Sequence, residues 1–337
     1  MNTLRFEQGP MLPGDLCPPA SDVEASDIRF IGSGKAAISL ILGYLRTKGL
    51  LLNKTAPIFV PQWIGTWVYA QMLGYGFPTT QLGPSCRVAM CYHQYGFPQD
   101  MDKIRSIATD RKMTLIEDCA HAAASSYKGT PLGQFGDFAL FSYSKFAFCF
   151  ALGGVVGKEP EFAGYVEAQC RQASRSLCAL VNGFKFLDER NLDRLAPCWP
   201  KLFDGARKMI YARYGDQLLA SPRAVALWSA KRKAEIAVRI ANYRDLRREL
   251  DRFGLCDHLE VDGVAPYAVP LAVRGDSAAN IVSELRRQAV TAGQYQFDFA
   301  RCVFEPDFRP VVLVPIHSGM LGRGMDLLTS SVKKYLT

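Results

Sequence analysis

The sequence predicts an α/β protein with a mostly parallel central sheet flanked by helices, followed by a small α+β C-terminal domain. Three observations carry this prediction. Short apolar runs at 58–61, 88–92, 113–118 and 138–143 alternate with stretches of helical periodicity, the pattern of βαβ units. A chain of 337 residues, 49% hydrophobic and 21% charged, has enough apolar material for two lobes. A long helical stretch, roughly Pro222 to Phe253, separates the strand-rich first part from a shorter remainder, so the expected division is 1–230 and 231–337.

The elements follow in order. The first thirty residues carry four prolines and no sustained period, and they read as an arm lying on another surface. The run AAISLILGYL, Ala36 to Leu45, has the length of a buried helix, and Gly32-Ser33-Gly34-Lys35 opens it with a tight turn suited to an anion. Ile58 to Pro61 is a short buried strand, and the helix Thr66 to Leu73 ends at Gly74 and Gly76. Val88 to Tyr92 is the next strand. Met101, Ile104 and Ile107 recur at helical spacing between Asp100 and Arg111, leading into the strand Met113 to Asp118. Ligands of such sheets bind beyond the carboxyl ends of the strands, where Asp118 stands. Phe138 to Tyr143 is another strand, followed by Lys145 and by Gly153-Gly154 leading into Val155-Val156. The pattern from Glu159 to about Gln217 is helical and irregular. Beyond the long helix come a strand (Tyr267 to Val273), a helix (Ser277 to Ala289) and a strand (Val311 to Val314).

Composition narrows the function. Forty basic residues against 32 acidic ones give a net charge of +8, which favours anionic partners. The densest clusters, Lys231-Arg232-Lys233 and Arg244 to Arg248, lack interleaved aromatics, so they read as solvated helix faces and no nucleic-acid partner is expected. None of the ten cysteines forms a C-x-x-C pair, so no metal site is expected, and reduced thiols suit a cytoplasmic protein. The N-terminus has no secretory pattern. No apolar stretch approaches the ~20 residues that span a bilayer, so no membrane association is expected.

Three features then fall in order: Gly34-Lys35-Ala36 opening a helix, Asp118-Cys-Ala-His121 ending a strand, and Ser142-Tyr-Ser-Lys145 following another. Each alone is commonplace; together they meet the needs of pyridoxal 5'-phosphate. That cofactor wants a lysine amine for a Schiff base, a carboxylate at its ring nitrogen, a flat group at its ring and donors for its phosphate. Lys145 lies in the apolar sequence FSYSKFAFCFALGG, where desolvation favours the free amine. Asp118 suits the ring nitrogen, and His121 suits the ring face or its hydroxyl. The backbone N–H groups of Gly34, Lys35 and Ala36, the Lys35 ammonium and the Ser142 hydroxyl suit the phosphate.

The segments GSGKAAISL, VPQWIGTW, YGFPQDMDKI, IEDCAHAAASSYKGTPLGQFGDFALFSYSK and GGVV, with RIANYRDLRREL and VPIHSGML further on, resemble the DegT/StrS family of pyridoxal-phosphate-dependent sugar aminotransferases. The resemblance covers nearly the whole chain in order, and the block from Asp118 to Lys145 is its specific part. It implies an aspartate-aminotransferase-like fold of type I, a homodimer, and amination of a keto group on a sugar or other small biosynthetic intermediate with glutamate or glutamine as donor. It also implies that Lys145 is the Schiff-base lysine, Asp118 the pyridinium partner, His121 the residue at a position usually Gln or His, and Ser142 the phosphate serine. An aromatic after Pro61 covers the other ring face, and Trp63 and Trp67 both qualify. Tyr95, Gln294, Tyr295 and His317 lie in segments that approach the substrate. Lys35 stands where the family usually has threonine, Lys145 follows the Phe-Ser pair two residues early, and CRQASRSLCALVNGFKF replaces the usual Asn-Tyr-Arg segment. Rival readings are another reaction of the same cofactor (dehydration, cyclisation or decarboxylation) and a non-catalytic sensor or scaffold; the retained lysine speaks against the latter.

Overall fold

The computed structural model describes residues 28–147, 149, 151–189, 205, 209, 210, 214–273, 275–320 and 322–336. Most of the expected N-terminal arm lies outside the described residues. The larger sheet is built from β1 (Arg29–Ile31), β2 (Pro57–Phe59), β3 (Phe77–Thr79), β4 (Val88–Tyr92) and β5 (Thr114–Asp118). A small hairpin, β6 (Ser126–Tyr127) and β7 (Thr130–Pro131), stands apart before β8 (Phe138–Phe141) and β9 (Gly153–Gly157) complete the sheet. The order is β1-β9-β8-β5-β4-β2-β3, with every pair from β8 to β3 parallel and β9 and β1 antiparallel at one edge. β4 (VAMCY) and β8 (FALF) are almost wholly buried, as parallel strands covered on both faces must be.

Helix α1 (Gly34–Thr47) starts at the N-cap Ser33, whose hydroxyl accepts the Ala36 N–H at 3.1 Å. Its apolar side packs on β8 and β9 and on α4 (Pro160–Gln172), while α2 (Thr66–Met72) and α3 (Met101–Asp110) supply the crossovers between parallel strands. Asp100 caps α3 by accepting the Lys103 N–H at 3.1 Å. After α5 (Arg175–Glu189) the 29-residue helix α6 (Pro222–Leu250) begins with proline at its first turn. It spans the expected division at residue 230.

The second sheet is antiparallel, in the order β10-β12-β11, from β10 (Ala268–Leu271), β11 (Gly293–Asp298) and β12 (Phe308–Pro315). Helix α7 (Asp276–Arg287) packs on β11 and β12, and α8 (Arg323–Lys334) packs on α7 and α6. The sequence did not announce β11. Its residues GQYQFD are polar and partly exposed, as befits an edge strand bonded on one side only. The start of β12 was missed likewise, because Phe308 is only partly buried and Arg309 and Pro310 are exposed while pairing with β11.

One apolar cluster unites the two sheets, running from Phe97, Tyr143 and Phe146 through Leu227, Trp228 and Tyr243 of α6 to Tyr267, Phe297 and Val314. Arg239 is buried within this zone. Its guanidinium donates to the carbonyls of Tyr267 (2.7 Å) and Phe146 (3.1 Å) and to Glu235 Oε1 (2.8 Å). Among the described residues no helix is long and apolar enough to cross a membrane, and the described cysteines are free thiols.

Candidate active site

The carboxyl ends of β4, β5 and β8 lie side by side and deliver Tyr92, Asp118 and the turn after Phe141 to one place. Asp118 is the last residue of β5, and its Oδ1 accepts the Ala120 N–H at 2.9 Å, which starts the turn carrying His121. After β8 the chain passes through Ser142 into a single 3-10 turn, Tyr143–Lys145, with Lys145 at its end. Two glycines allow the close approaches. A Cβ on Gly153 would lie 2.3 Å from the carbonyl carbon of Ser33, so only glycine lets β9 touch the head of α1. Gly96 has φ of +97°, and a Cβ there would lie 2.8 Å from the His121 carbonyl oxygen.

Lys145 Nζ lies 2.8 Å from His121 Nε2, and the Tyr92 hydroxyl meets His121 Nδ1. The imidazole is stacked on Tyr267 with 4.1 Å between centroids and 3° between planes, so one of its faces is covered. Tyr95, held in left-handed backbone at φ 54°, is nearly parallel to the same ring at 5.9 Å and meets Tyr295 edge-on. Lys145 Nζ also sits 5.9 Å from the Tyr267 ring centre.

Burial, then the charges of Lys145 and Arg239, push His121 far below its ordinary pKa, so the ring is neutral. Burial raises Asp118, against the opposing pull of Lys145 and of the Ala120 N–H. The adjacent Glu117 behaves otherwise. Burial pushes it up, but His93 and the N–H groups of Gly136 and Gly133 outweigh burial and hold it below the usual carboxylate range. Glu117 accepts from Phe135 and Gly136 at 2.6 Å each, from Gly133 at 2.9 Å and from His93 Nε2 at 3.2 Å. His93, Glu117 and Cys119 form the one cluster among the described residues close enough to share a metal ion. The bonds just described already engage its histidine and its carboxylate.

At the head of α1, a Cβ on Gly34 would come within 3.2 Å of Ser142 Cβ and 3.6 Å of its Oγ, so these two expected phosphate residues are neighbours. The Ala36 N–H is engaged by the Ser33 cap. Lys35 Nζ lies over the Trp67 ring at 4.4 Å; burial lowers its pKa while Asp216 raises it. Trp63 and Trp67 are both half exposed, and the lysine contact belongs to Trp67. Of the four substrate candidates, Tyr95 packs near His121, and Tyr295 packs edge-on against Tyr95. Gln294 is exposed on β11 opposite Val312. His317 is buried, with Nδ1 accepting the Gly319 N–H at 3.0 Å, and it adjoins Ser318, whose N–H reaches Glu235 at 3.3 Å.

Tyr92, Tyr267 and Arg239 were not expected at this site. Tyr92 reads as the last residue of a strand, and only the side of the sheet it faces makes it a partner of His121. Tyr267 and Arg239 arrive by long-range packing, for which the one available signal was an arginine amid apolar positions of a long helix.

The parallel strands of this α/β fold thus bring a buried acid, a histidine and a lysine together at the carboxyl edge of the sheet. Residues 80–176 match the model of the DegT/DnrJ/EryC1/StrS aminotransferase family, which bears out the resemblance read from the sequence. The chain is 33% identical over 114 residues to GDP-perosamine synthase of Escherichia coli O157:H7, covering 34% of this chain and 30% of that protein. It is 29% identical over 180 residues to dTDP-3-amino-3,4,6-trideoxy-alpha-D-glucose transaminase of Streptomyces venezuelae, covering 47% and 46%. The matches thus span a third to a half of these curated relatives. Among solved structures, the Helicobacter pylori aminotransferase PseC, involved in the biosynthesis of pseudoaminic acid, superposes with a TM-score of 0.66 over 99% of both chains at 12% identity. The fold is therefore the type I aminotransferase fold that the sequence predicted.

Proposed function

We propose that this protein is a pyridoxal-phosphate-dependent aminotransferase that aminates a keto group of a sugar or a related small intermediate, with glutamate or glutamine as donor and a homodimer as the working unit. The carrying observation is the Lys145 amine, 2.8 Å from His121 Nε2, beside the buried carboxylate of Asp118. The donor set fits the cofactor at both ends. Asp118 is buried with a raised pKa and makes no ion pair with a lysine, arginine or histidine among the described residues, so a protonated ring nitrogen is the kind of partner it lacks. The space beside Gly34, which a Cβ would fill against Ser142, lies at a helix N-terminus next to the Lys35 ammonium, a setting suited to phosphate.

When bound, pyridoxal phosphate supplies an aldehyde that condenses with amines and a ring that draws electrons from the adjoining carbon. The chain supplies the rest. Lys145 Nζ would hold the cofactor through its amine and would be the group placed to move a proton at the substrate carbon. His121 Nε2 would orient that amine, and Asp118 would be the partner of the ring nitrogen. Gly34, Lys35 and Ser142 hold the phosphate, with Ala36 N–H committed to the helix cap. Trp67 lies beside this phosphate end, Tyr95 and Tyr295 border the amine, and Tyr267 and Arg239 exclude water behind it. In this reading the cofactor domain comprises residues 1–230 and the small domain 231–337.

The test is spectroscopic. Protein mixed with pyridoxal phosphate should show the visible band of the lysine-linked cofactor, Lys145→Ala should lack it, and glutamate should bleach it. No band, or the same band in the variant, overturns the cofactor assignment. A band that no amino donor changes overturns the transfer reaction.

A further inference from the structure

We propose that Arg239 of α6 is a positioning residue, whose guanidinium fork sets the spacing between the two walls of the site: the turn that carries Lys145 and the segment that backs His121. The inference deepens the aminotransferase reading and rests on it for its consequence in amino transfer, whereas the brace itself is built from this chain alone.

A fully buried guanidinium in a helix interior is costly to desolvate unless its nitrogens find partners. Here each nitrogen has one. Nε donates to Glu235 Oε1 at 2.8 Å, one turn earlier on the same helix, which orients the guanidinium plane. The two Nη atoms donate to carbonyls from distant parts of the chain, those of Tyr267 at 2.7 Å and Phe146 at 3.1 Å. Phe146 follows Lys145 directly, and its own N–H donates to the Tyr143 carbonyl at 3.0 Å, which closes the 3-10 turn. Tyr267 is gripped at both backbone groups, its N–H donating to the Tyr95 carbonyl at 2.8 Å, while its ring covers His121. The side chains close the same gap. The Phe146 and Tyr267 rings meet edge-on with centroids 6.3 Å apart, and the guanidinium carbon lies 5.2 Å from the first and 6.0 Å from the second.

Because a guanidinium is planar and rigid, the two carbonyls cannot drift apart without breaking a buried hydrogen bond. What depends on their spacing is the 2.8 Å between Lys145 Nζ and His121 Nε2, one atom on each wall. A lysine at position 239 would keep the charge and lose the fork. Glu235 Oε1 also accepts the Ser318 N–H at 3.3 Å, so the brace is tied to the turn after β12 as well.

Two NMR measurements on cofactor-free protein and one kinetic measurement on the loaded protein test the brace. In wild-type protein labelled with ¹⁵N-arginine, a guanidinium held at both Nη atoms should give two resolved Nη resonances for Arg239, assigned through contacts with Phe146 and Tyr267. A single averaged signal overturns the fork, whether or not any variant folds. In Arg239→Lys the ring-current shift that Tyr267 imposes on His121 should be lost, while His258, stacked 4.2 Å from Phe299, should keep its own. Retention of both shifts in the folded variant overturns the proposal, and so does loss of both, which is the mark of general loosening. In single turnover with glutamate, Arg239→Lys should slow amino transfer about 100-fold while the half-saturating glutamate concentration changes less than about threefold. A rate within about threefold of wild type in the folded variant overturns it. Failure of the protein to take up pyridoxal phosphate would remove the aminotransferase reading, and the two cofactor-free measurements would still decide the brace.

Discussion

Glu117 and Asp118 are neighbours in one strand, both buried, and they occupy opposite electrostatic states. Glu117 is surrounded by partners: three backbone N–H groups from the 133–136 loop and the ring of His93. Asp118 has a single backbone N–H and a raised pKa. Alternation along the strand sends the two side chains to opposite faces. One face is finished as structure, and the other is left short of positive charge where a ligand would supply it. A functional site is recognisable here as the place where the fold stops satisfying its own polar groups.

Breaking the finished side should have the largest effect. Glu117→Ala would strand three buried N–H groups and His93, at a cost of about 3–5 kcal/mol, seen as a lower midpoint in urea unfolding. Glu117→Gln should cost less. Because Glu117 titrates below its ordinary value, its stabilisation is full above the unfolded carboxylate pKa and is lost as the solution is acidified through the folded one.

The poised side should respond with the opposite sign. Asp118 is raised, so its charge opposes folding at neutral pH, and Asp118→Asn should leave stability unchanged or raise it by up to about 1 kcal/mol. The same variant should lower amino transfer by roughly 100-fold or more, measured in single turnover with glutamate. Loss of stability in Asp118→Asn comparable with Glu117→Ala would erase the contrast.

A smaller effect sharpens the rule. His258, stacked on Phe299, has a buried Nε2 with no hydrogen-bond partner among the described residues, and burial followed by Arg301 lowers its pKa to about 4. It is an unsatisfied group away from the lysine. As pH falls below about 6.5 the unfolded chain binds a proton there that the folded one refuses, so stability declines until about pH 4. His258→Phe should flatten the thermal-melt profile over that interval without altering cofactor uptake.

Much of the larger sheet was legible because its strands are buried on both faces and so carry uninterrupted apolar runs, as at Val88–Tyr92 and Phe138–Phe141. The same physics hid β11, whose exposed Gln294 and Tyr295 and half-buried Gln296 carry a weaker pattern. Within the site, Asp118, His121, Ser142 and Lys145 were readable because each stands just beyond a strand that was itself readable. Tyr92 was hidden by its neighbours: a tyrosine closing an apolar strand looks like core. Tyr267 and Arg239 depend on α6 and the second sheet docking against the first, which no local spacing encodes. Trp63 and Trp67 lie too close in sequence for spacing to separate them, and only the Lys35 contact distinguishes Trp67.

The central claim is that Lys145, held by His121 and facing Asp118, is the residue that takes the cofactor. Borohydride reduction of the protein mixed with pyridoxal phosphate, followed by peptide mapping, tests it most directly. The predicted result is one stoichiometric adduct on the peptide containing Lys145, reduced or absent in Asp118→Asn. An adduct scattered over surface lysines, or concentrated on Lys35 with Lys145 unmodified, would contradict it.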